Sequence, residues 1–176
     1  FIGSALLHAK LRYWHLLAAG AELCRCGEER IGPLSEPAKV RAFAMLRFCC
    51  LTNTPRHRLA PDELRQHFPD LSRSGLPSTY YFDSSGVGRL GFVRIDAGHR
   101  GRWDRILQSV QTDMREHLAQ AGFRRLVHAG RFEITVLTVF RQKALRIHDA
   151  LTNQARGLCV PVNVVALPEL LPLVTS

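Results

Sequence analysis

The stretch that decides the fold is YYFDSSGVGRLGFVRIDAG, residues 80–98. Residues 80–82 and 89–95 are rich in aromatic and β-branched side chains, which favour extended strands. Between them lie serines and glycines, the residue types that form tight turns. We therefore predict a β-hairpin at this point in the chain.

The segments that follow the hairpin alternate between helix and strand patterns. Residues 103–121 repeat apolar side chains every three or four positions, which predicts a long amphipathic helix. Strand-like residues at 132–138, a helical pattern at 141–152 and an apolar run at 160–167 come next. The order β-β-α-β-α-β predicts a mixed sheet of about four strands.

The segments that precede the hairpin have helical patterns. Helices are predicted at residues 4–26, 36–51 and 61–68, the last opening with Pro61, Asp62 and Glu63. The expected fold class is therefore α+β. We divide the chain into a helical region at 1–76 and an α/β region at 77–176.

The charge balance points to a polyanionic partner. The chain carries 24 Lys and Arg against 15 Asp and Glu, a net charge of +9, and only Lys10, Lys39 and Lys143 are lysines. A GC-rich genome would explain the preference for arginine over lysine, but not the excess of bases over acids. Because the guanidinium group binds phosphate with two hydrogen bonds, DNA is the expected partner.

Three helices followed by a β-hairpin is the order of a winged helix-turn-helix, in which one helix enters the major groove and the hairpin contacts the backbone. The third helix is short for a recognition helix. The side chains that we expect to bind DNA lie around it and on the hairpin: Arg56, Arg58, Arg65, Gln66, Arg73, Arg89 and Arg94.

The hairpin and the long helix after it resemble plasmid replication–relaxation proteins, which join a winged helix to a restriction-endonuclease-like core. In that family the first strand opens with Pro-Asp, and the second carries Glu-x-Asp before a glycine turn. The resemblance covers about residues 36–167. It implies a DNA-binding accessory or regulatory protein of a bacterial plasmid or mobile element.

Two departures from this pattern argue against catalysis. Pro77 is followed by Ser78 rather than Asp, and Arg94 stands where the family has Glu. A metal-dependent nuclease needs several carboxylates that converge on Mg²⁺, so we expect a non-catalytic nuclease-like core without a cofactor. The alternative is a residual nuclease site built from Asp83, Asp96 and Glu133.

The remaining expectations concern metals, compartment and protein partners. Cys24, Cys26, Cys49 and Cys50 lack the Cys-x₂-Cys spacing of structural zinc sites, so we expect no metal. Free thiols and the absence of a run of about 18 apolar residues indicate a cytoplasmic protein that does not span a membrane. A third hypothesis is a protein–protein adaptor that forms a homodimer or docks another protein through the 103–121 stripe or residues 170–173.

Overall fold

The structure is a computed structural model that describes residues 2–8, 11–24, 31–51, 54–71, 79–96, 98, 103–153 and 159–174. Over these residues the chain is a mixed α+β protein. Its strands are β1 (Ile2–His8), β2 (Leu11–Leu16), β3 (Arg56–Arg58), β4 (Tyr80–Asp83), β5 (Arg89–Asp96), β6 (Phe132–Thr138) and β7 (Val162–Ala166). Its helices are α1 (Ala18–Leu23), α2 (Glu36–Cys50), α3 (Pro61–His67), α4 (Trp103–Leu118), α5 (Ala121–His128), α6 (Arg141–Asn153) and α7 (Leu171–Val174). Short 3₁₀ turns at Pro69–Leu71 and Pro168–Leu170 follow α3 and precede α7.

The main sheet has five strands in the order β3-β4-β5-β6-β7. The strand pairs β3–β4 and β4–β5 are antiparallel, whereas β5–β6 and β6–β7 are parallel. The parallel strands are joined by helical crossovers, as parallel connections require. Because β4 is antiparallel to β5, residues at the C-terminal end of β4 lie beside the N-terminal end of β5.

Helices cover both faces of this sheet, so that it separates two hydrophobic clusters. One cluster packs α3, α4, α5 and α6 through Leu64, Val110, Phe123 and Ile147. The other packs α2 and α7 against Tyr81, Val93 and Leu137. Every residue of β6 is buried, as expected for a central strand with helices on both sides.

The predicted β-β-α-β-α-β order is confirmed by β4, β5, α4, β6, α6 and β7. The predicted helix at 103–121 ends at Leu118, and a separate helix, α5, follows it. The sheet has five strands rather than about four, because Arg56–Arg58 pairs with the edge of β4. The front region thus contributes a strand to the same sheet as the back region.

The predicted helix over residues 4–26 is wrong. Ile2–His8 and Leu11–Leu16 pair as antiparallel strands, with Ser4 opposite Trp14, and among the described residues of the predicted stretch only Ala18–Leu23 is helical. Leu7 packs against the second core cluster. The apolar spacing in this stretch fits a helix stripe, but Tyr13 and Trp14 also have strand preference, and long-range packing decides between the two.

Gly91 is required by the packing of Tyr81 across the sheet. Tyr81, Gly91 and Glu133 occupy one register on β4, β5 and β6. The Tyr81 hydroxyl donates to Oε1 of Glu133 over 2.5 Å and lies 2.8 Å from Oγ1 of Thr135. A Cβ at Gly91 would lie 2.0 Å from Cζ of the Tyr81 ring.

We expect Gly91→Ala to lower the free energy of unfolding by at least about 2 kcal/mol, because the added methyl group displaces a fully buried ring. The displaced ring also loses its hydrogen bond to the buried Glu133 carboxylate. Urea denaturation followed by circular dichroism measures the change. An unfolding midpoint equal to that of the wild type would show that the Tyr81 ring does not cover Gly91.

Candidate nucleic-acid interface

Two of the arginines predicted to bind DNA are engaged inside the fold. Arg94 forms a bidentate ion pair with Asp113 of α4, and its Nε lies 2.7 Å from Oδ2 of that buried carboxylate. Arg56 lies 3.0 Å from Oδ2 of Asp83, with its guanidinium carbon 4.5 Å from the centre of the Phe48 ring. Both side chains satisfy buried carboxylates, so their first role is structural.

The other predicted residues are more accessible. Arg58 and Gln66 are exposed, and Arg65 forms an exposed ion pair with Asp62 one helical turn earlier. Such exposed pairs contribute little to stability, so a phosphate can replace the carboxylate. Arg89 is half-exposed, with Nη1 3.5 Å from Oε2 of Glu133. Arg73 lies outside the described residues.

A further basic surface was not predicted from the sequence. Residues 117–132 contain no Asp or Glu, and this stretch folds into the end of α4, helix α5 and the turn before β6. Its exposed cationic or ionisable side chains are Arg124, Arg125, His128 and Arg131, which we call the basic ridge. The absence of acids between positions 117 and 132 does not by itself mark this surface, because longer stretches such as 37–61 also lack them.

Helix α5 presents this ridge because its opposite side is anchored in the core. Phe123 is fully buried among aromatic rings, including Phe132 at 5.1 Å between centroids. Gly122 approaches the backbone so closely that a Cβ there would lie 2.6 Å from the carbonyl oxygen of Asp70. These contacts fix the orientation of a helix of only eight residues and leave the side chains of the ridge in solvent.

Hydrogen bonds to the backbone hold two of the arginines in place. Arg124 donates through Nη1 to the carbonyls of Leu118 and Ala119, over 2.8 and 3.0 Å. Arg131 donates through Nε to the carbonyl of Gly88, over 3.2 Å. Since a guanidinium has five N–H donors, each side chain keeps several for a ligand.

The acidic side chains near the basic ridge do not cancel its positive charge. Arg125 pairs with Asp70 over 2.7 Å, and both side chains are largely exposed. Arg131 and Arg89 come immediately before Phe132 and Leu90, which are partners in the β5–β6 register. Arg89 therefore lies close to the end of the ridge, at the edge of the sheet where the parallel strands begin.

The three acids of the alternative nuclease site are not brought together. Asp83 pairs with Arg89 at the start of β5, and Glu133 pairs with Gly91 nearby. Asp96 ends β5 seven residues further on, or ~23 Å along the strand. Asp83 and Glu133 thus lie near the N-terminal end of β5, and Asp96 lies at its C-terminal end.

The oxygens of Asp83 and Glu133 already have hydrogen-bonding or ionic partners. Asp83 accepts from Ser85 through Oδ1 and from Arg56 through Oδ2. Burial alone would raise the pKa of the Asp83 carboxyl, but these hydrogen bonds outweigh it and hold the pKa below its usual value. Glu133 accepts from Tyr81 through Oε1 and faces Arg89 through Oε2.

Both carboxylate oxygens of Asp96, at the C-terminal end of β5, have partners. Its Oδ2 lies 2.7 Å from Nζ of the buried Lys143 and accepts from Thr138 over 3.0 Å. Its Oδ1 accepts from the backbone N–H of Gly98 over 3.2 Å. This arrangement joins the ends of β5 and β6 to the first turn of α6.

The metal and adaptor hypotheses gain no support from the described residues. No group of three or more His, Cys, Asp or Glu among them could hold a metal ion. Cys49 is buried, which raises the pKa of its thiol to about 12, and Cys26 lies outside the described residues. The stripe of α4, together with Leu170 and Leu173, is buried in the core, whereas Leu171 is 39% exposed.

Exposed apolar side chains lie instead on the N-terminal hairpin. Ile2, Leu6 and Trp14 share one face of the hairpin, and Trp14 is 75% exposed.

Over the described residues, no helix is both long enough and apolar enough to span a membrane. Comparison of the chain with protein-family models, curated proteins and solved structures gave no match.

Proposed function

We propose that the protein binds duplex DNA through its phosphates, with the basic ridge at the centre of the contact surface. The observation that carries the proposal is the exposure of Arg124, Arg125 and Arg131 in a 16-residue stretch without a single acid, residues 117–132. Phosphate contacts from arginine supply most of the affinity of DNA-binding proteins.

The neighbouring elements extend this surface. Helix α5 contacts the 3₁₀ turn Pro69–Leu71, which directly follows α3. Helix α3 carries exposed Arg65 and Gln66, side chains that can form hydrogen bonds to base edges. In this proposal the ridge positions the protein on the backbone, and the exposed side chains of α3 reach base edges in a groove.

We further propose that the protein is a non-catalytic accessory or regulatory factor of a bacterial plasmid or mobile element. The resemblance to plasmid replication–relaxation proteins supports a plasmid or mobile element as the biological context. Two observations support a non-catalytic role. Asp96 lies far from Asp83 and Glu133 along the strands. Arg94 forms an ion pair with Asp113.

The interface is tested with two triple variants that remove the same charge. Arg124, Arg125 and Arg131 are replaced by Ala in one variant, and the exposed Arg105, Arg115 and Arg146, which lie outside the ridge, are replaced in the other. Fluorescence anisotropy with a random 30-base-pair duplex at about 50 mM salt should show a loss of about fiftyfold or more for the ridge variant. The control variant should lose less than about threefold.

Several outcomes would contradict this proposal. Equal losses in both variants would show that only net charge matters and would remove the ridge from the interface. Negligible affinity of the wild type at about 50 mM salt would refute DNA binding altogether. Tighter binding of a single-stranded RNA of equal length would identify RNA as the partner instead.

Supercoiled plasmid should remain uncut when it is incubated with the protein and Mg²⁺ or Mn²⁺. The reason is that two-metal and one-metal nucleases need converging carboxylates, which Asp83, Asp96 and Glu133 do not provide. Agarose electrophoresis measures nicking and linearisation. Cleavage that disappears in Asp96→Ala would reject this expectation and favour the metal-dependent nuclease.

A further inference from the structure

The antiparallel pair β1–β2, the N-terminal hairpin, turns one face towards the protein and the other towards solvent. On the inner face, the backbone N–H of Leu34 donates to the Tyr13 hydroxyl over 2.6 Å, and a Cβ at Gly3 would lie 2.7 Å from Cε1 of His15. Side chains alternate between the two faces along a strand. The register therefore places these residues on the outer face: Ile2, Ser4, Leu6, Arg12 and Trp14.

The outer face combines an exposed aromatic ring with a cation that is held beside it. Trp14 is 75% exposed and lies directly opposite Ser4 in the register. Arg12, two residues before Trp14 on the same face, donates through Nη2 to Oγ of Ser4 over 2.9 Å. Its guanidinium therefore lies in the row of side chains next to the indole. Within the described ranges, Arg12 has no carboxylate partner.

Charge decides which partner fits this face. The chain has a net charge of +9, and a second copy docked through the same face would bring two copies of Arg12 into one interface, so an anionic partner is favoured. An exposed ring beside a cation is the combination by which proteins bind single-stranded nucleic acids, because the ring stacks on a base and the cation binds the backbone. In a duplex the bases are already stacked on one another. The outer face therefore fits an unpaired nucleotide.

The position of the hairpin in the fold also favours a single strand. Leu7 of β1 packs against the cluster formed by α2 and α7, whereas Phe123 of α5, which carries the basic ridge, belongs to the cluster on the other face of the main sheet. Duplex DNA resists bending over lengths far greater than the size of this protein, so a duplex on the ridge does not wrap around the sheet to the hairpin. A flexible single strand that leaves the duplex can follow that path.

We propose that the outer face of the N-terminal hairpin binds an unpaired base of DNA, with Trp14 stacked on the base and Arg12 bound to a neighbouring phosphate. This inference rests on the proposed DNA binding and adds the form of DNA that is preferred, a duplex with a single-stranded extension. The basic ridge binds the duplex part, and the hairpin binds the extension.

The test compares three DNAs by fluorescence anisotropy at about 50 mM salt: the blunt duplex, the same duplex with a tail of about 15 thymidine nucleotides, and the same duplex with an equally long abasic tail. The thymidine tail should tighten binding of the wild type about tenfold, because a base stacked on an aromatic ring contributes an effect of this order. The abasic tail carries the same phosphates without bases, so it should tighten binding less than about threefold. An equal gain from both tails would show that charge alone holds the tail and would overturn the proposal.

Variants of the hairpin assign the gain to individual side chains. Trp14→Ala should abolish the gain from the thymidine tail and leave the affinity for the blunt duplex within about twofold, whereas Trp14→Phe should keep most of the gain. Leu23→Ala removes a similarly exposed apolar side chain from α1, and this control should keep the full gain. Arg12→Gln should reduce the salt dependence of the gain by about 0.7, the value for one phosphate of a single strand.

The outcomes distinguish this proposal from the proposed function. Binding of the blunt duplex without any gain from the thymidine tail would overturn the hairpin proposal and leave the basic ridge as the interface. Binding of the tailed DNA alone, lost in Trp14→Ala, would support the hairpin and reject the ridge. If Trp14→Ala instead abolished binding to vesicles of anionic phospholipid, or abolished a dimer seen by sedimentation, and the tail gave no gain, the face would belong to a membrane or to a second copy of the chain.

Discussion

Replacement of Lys143 with methionine should lower the free energy of unfolding by about 3–5 kcal/mol, because it leaves the buried Asp96 carboxylate without its cation. Both side chains of this pair are at least nine-tenths buried, and Nζ of Lys143 lies 2.7 Å from Oδ2 of Asp96. Thermal unfolding followed by circular dichroism measures the change as a fall of roughly 10 °C in Tm for a chain of this size.

Two further variants make this result specific to the pair. Lys39→Met removes a lysine whose partner, Glu36, is largely exposed, so we expect a change of less than about 1 kcal/mol. The double variant Lys143→Met and Asp96→Leu removes the unpaired charge and should recover much of the lost stability. If Lys143→Met and Lys39→Met unfolded at the same temperature, the Asp96–Lys143 pair would have no structural role.

The back half of the fold could be predicted because its local patterns are strong and consistent. The 103–121 stripe has helical periodicity, and residues 132–138 are rich in β-branched and apolar side chains, so each pattern fits one kind of element. The front half contains weaker patterns. In residues 2–16 the same apolar side chains fit a helix or a strand, and the contact of Leu7 with the core decides between them.

The strand β3 could not be predicted for a different reason. Arg56–Arg58 is three residues long, and two of its three side chains are exposed, so neither hydrophobicity nor periodicity marks it. It is a strand because its backbone pairs with Tyr81, Phe82 and Asp83 at the open edge of β4. That pairing depends on the position of β4 in three dimensions, which no local window contains.

The same limit applies to the individual arginines. Composition indicates the class of partner, because the net charge of +9 does not depend on the fold. Composition does not show which arginines have no carboxylate partner and can therefore bind a phosphate. Arg94 has its carboxylate partner on the next helix, and Arg56 has its partner 27 residues later on a neighbouring strand. The stretch 117–132 is acid-free in the sequence, but longer stretches such as 37–61 are acid-free too, and Arg125 still pairs with the distant Asp70, so the sequence alone does not single out the ridge.

The affinity for duplex DNA should fall about a hundredfold when the salt concentration rises from about 50 to about 200 mM. Each phosphate that an arginine neutralises releases a condensed counterion, so the logarithm of affinity changes with the logarithm of salt by about −0.9 per contact. The three arginines of the ridge together with Arg89 give four contacts and a slope of about −3.6. A fourfold rise in salt then reduces affinity by a factor of roughly 150, by the same relation.

The ridge variant that lacks Arg124, Arg125 and Arg131 should keep about one contact, so its affinity should fall only about three- to fourfold over the same salt range. Wild type and variant should therefore differ strongly at 50 mM and much less at 200 mM, because the lost contacts are the salt-sensitive ones. The matched variant in Arg105, Arg115 and Arg146 should keep the wild-type slope. Parallel salt dependences for the wild type and the ridge variant would mean that these arginines do not contact phosphate, since a lost phosphate contact must change the slope.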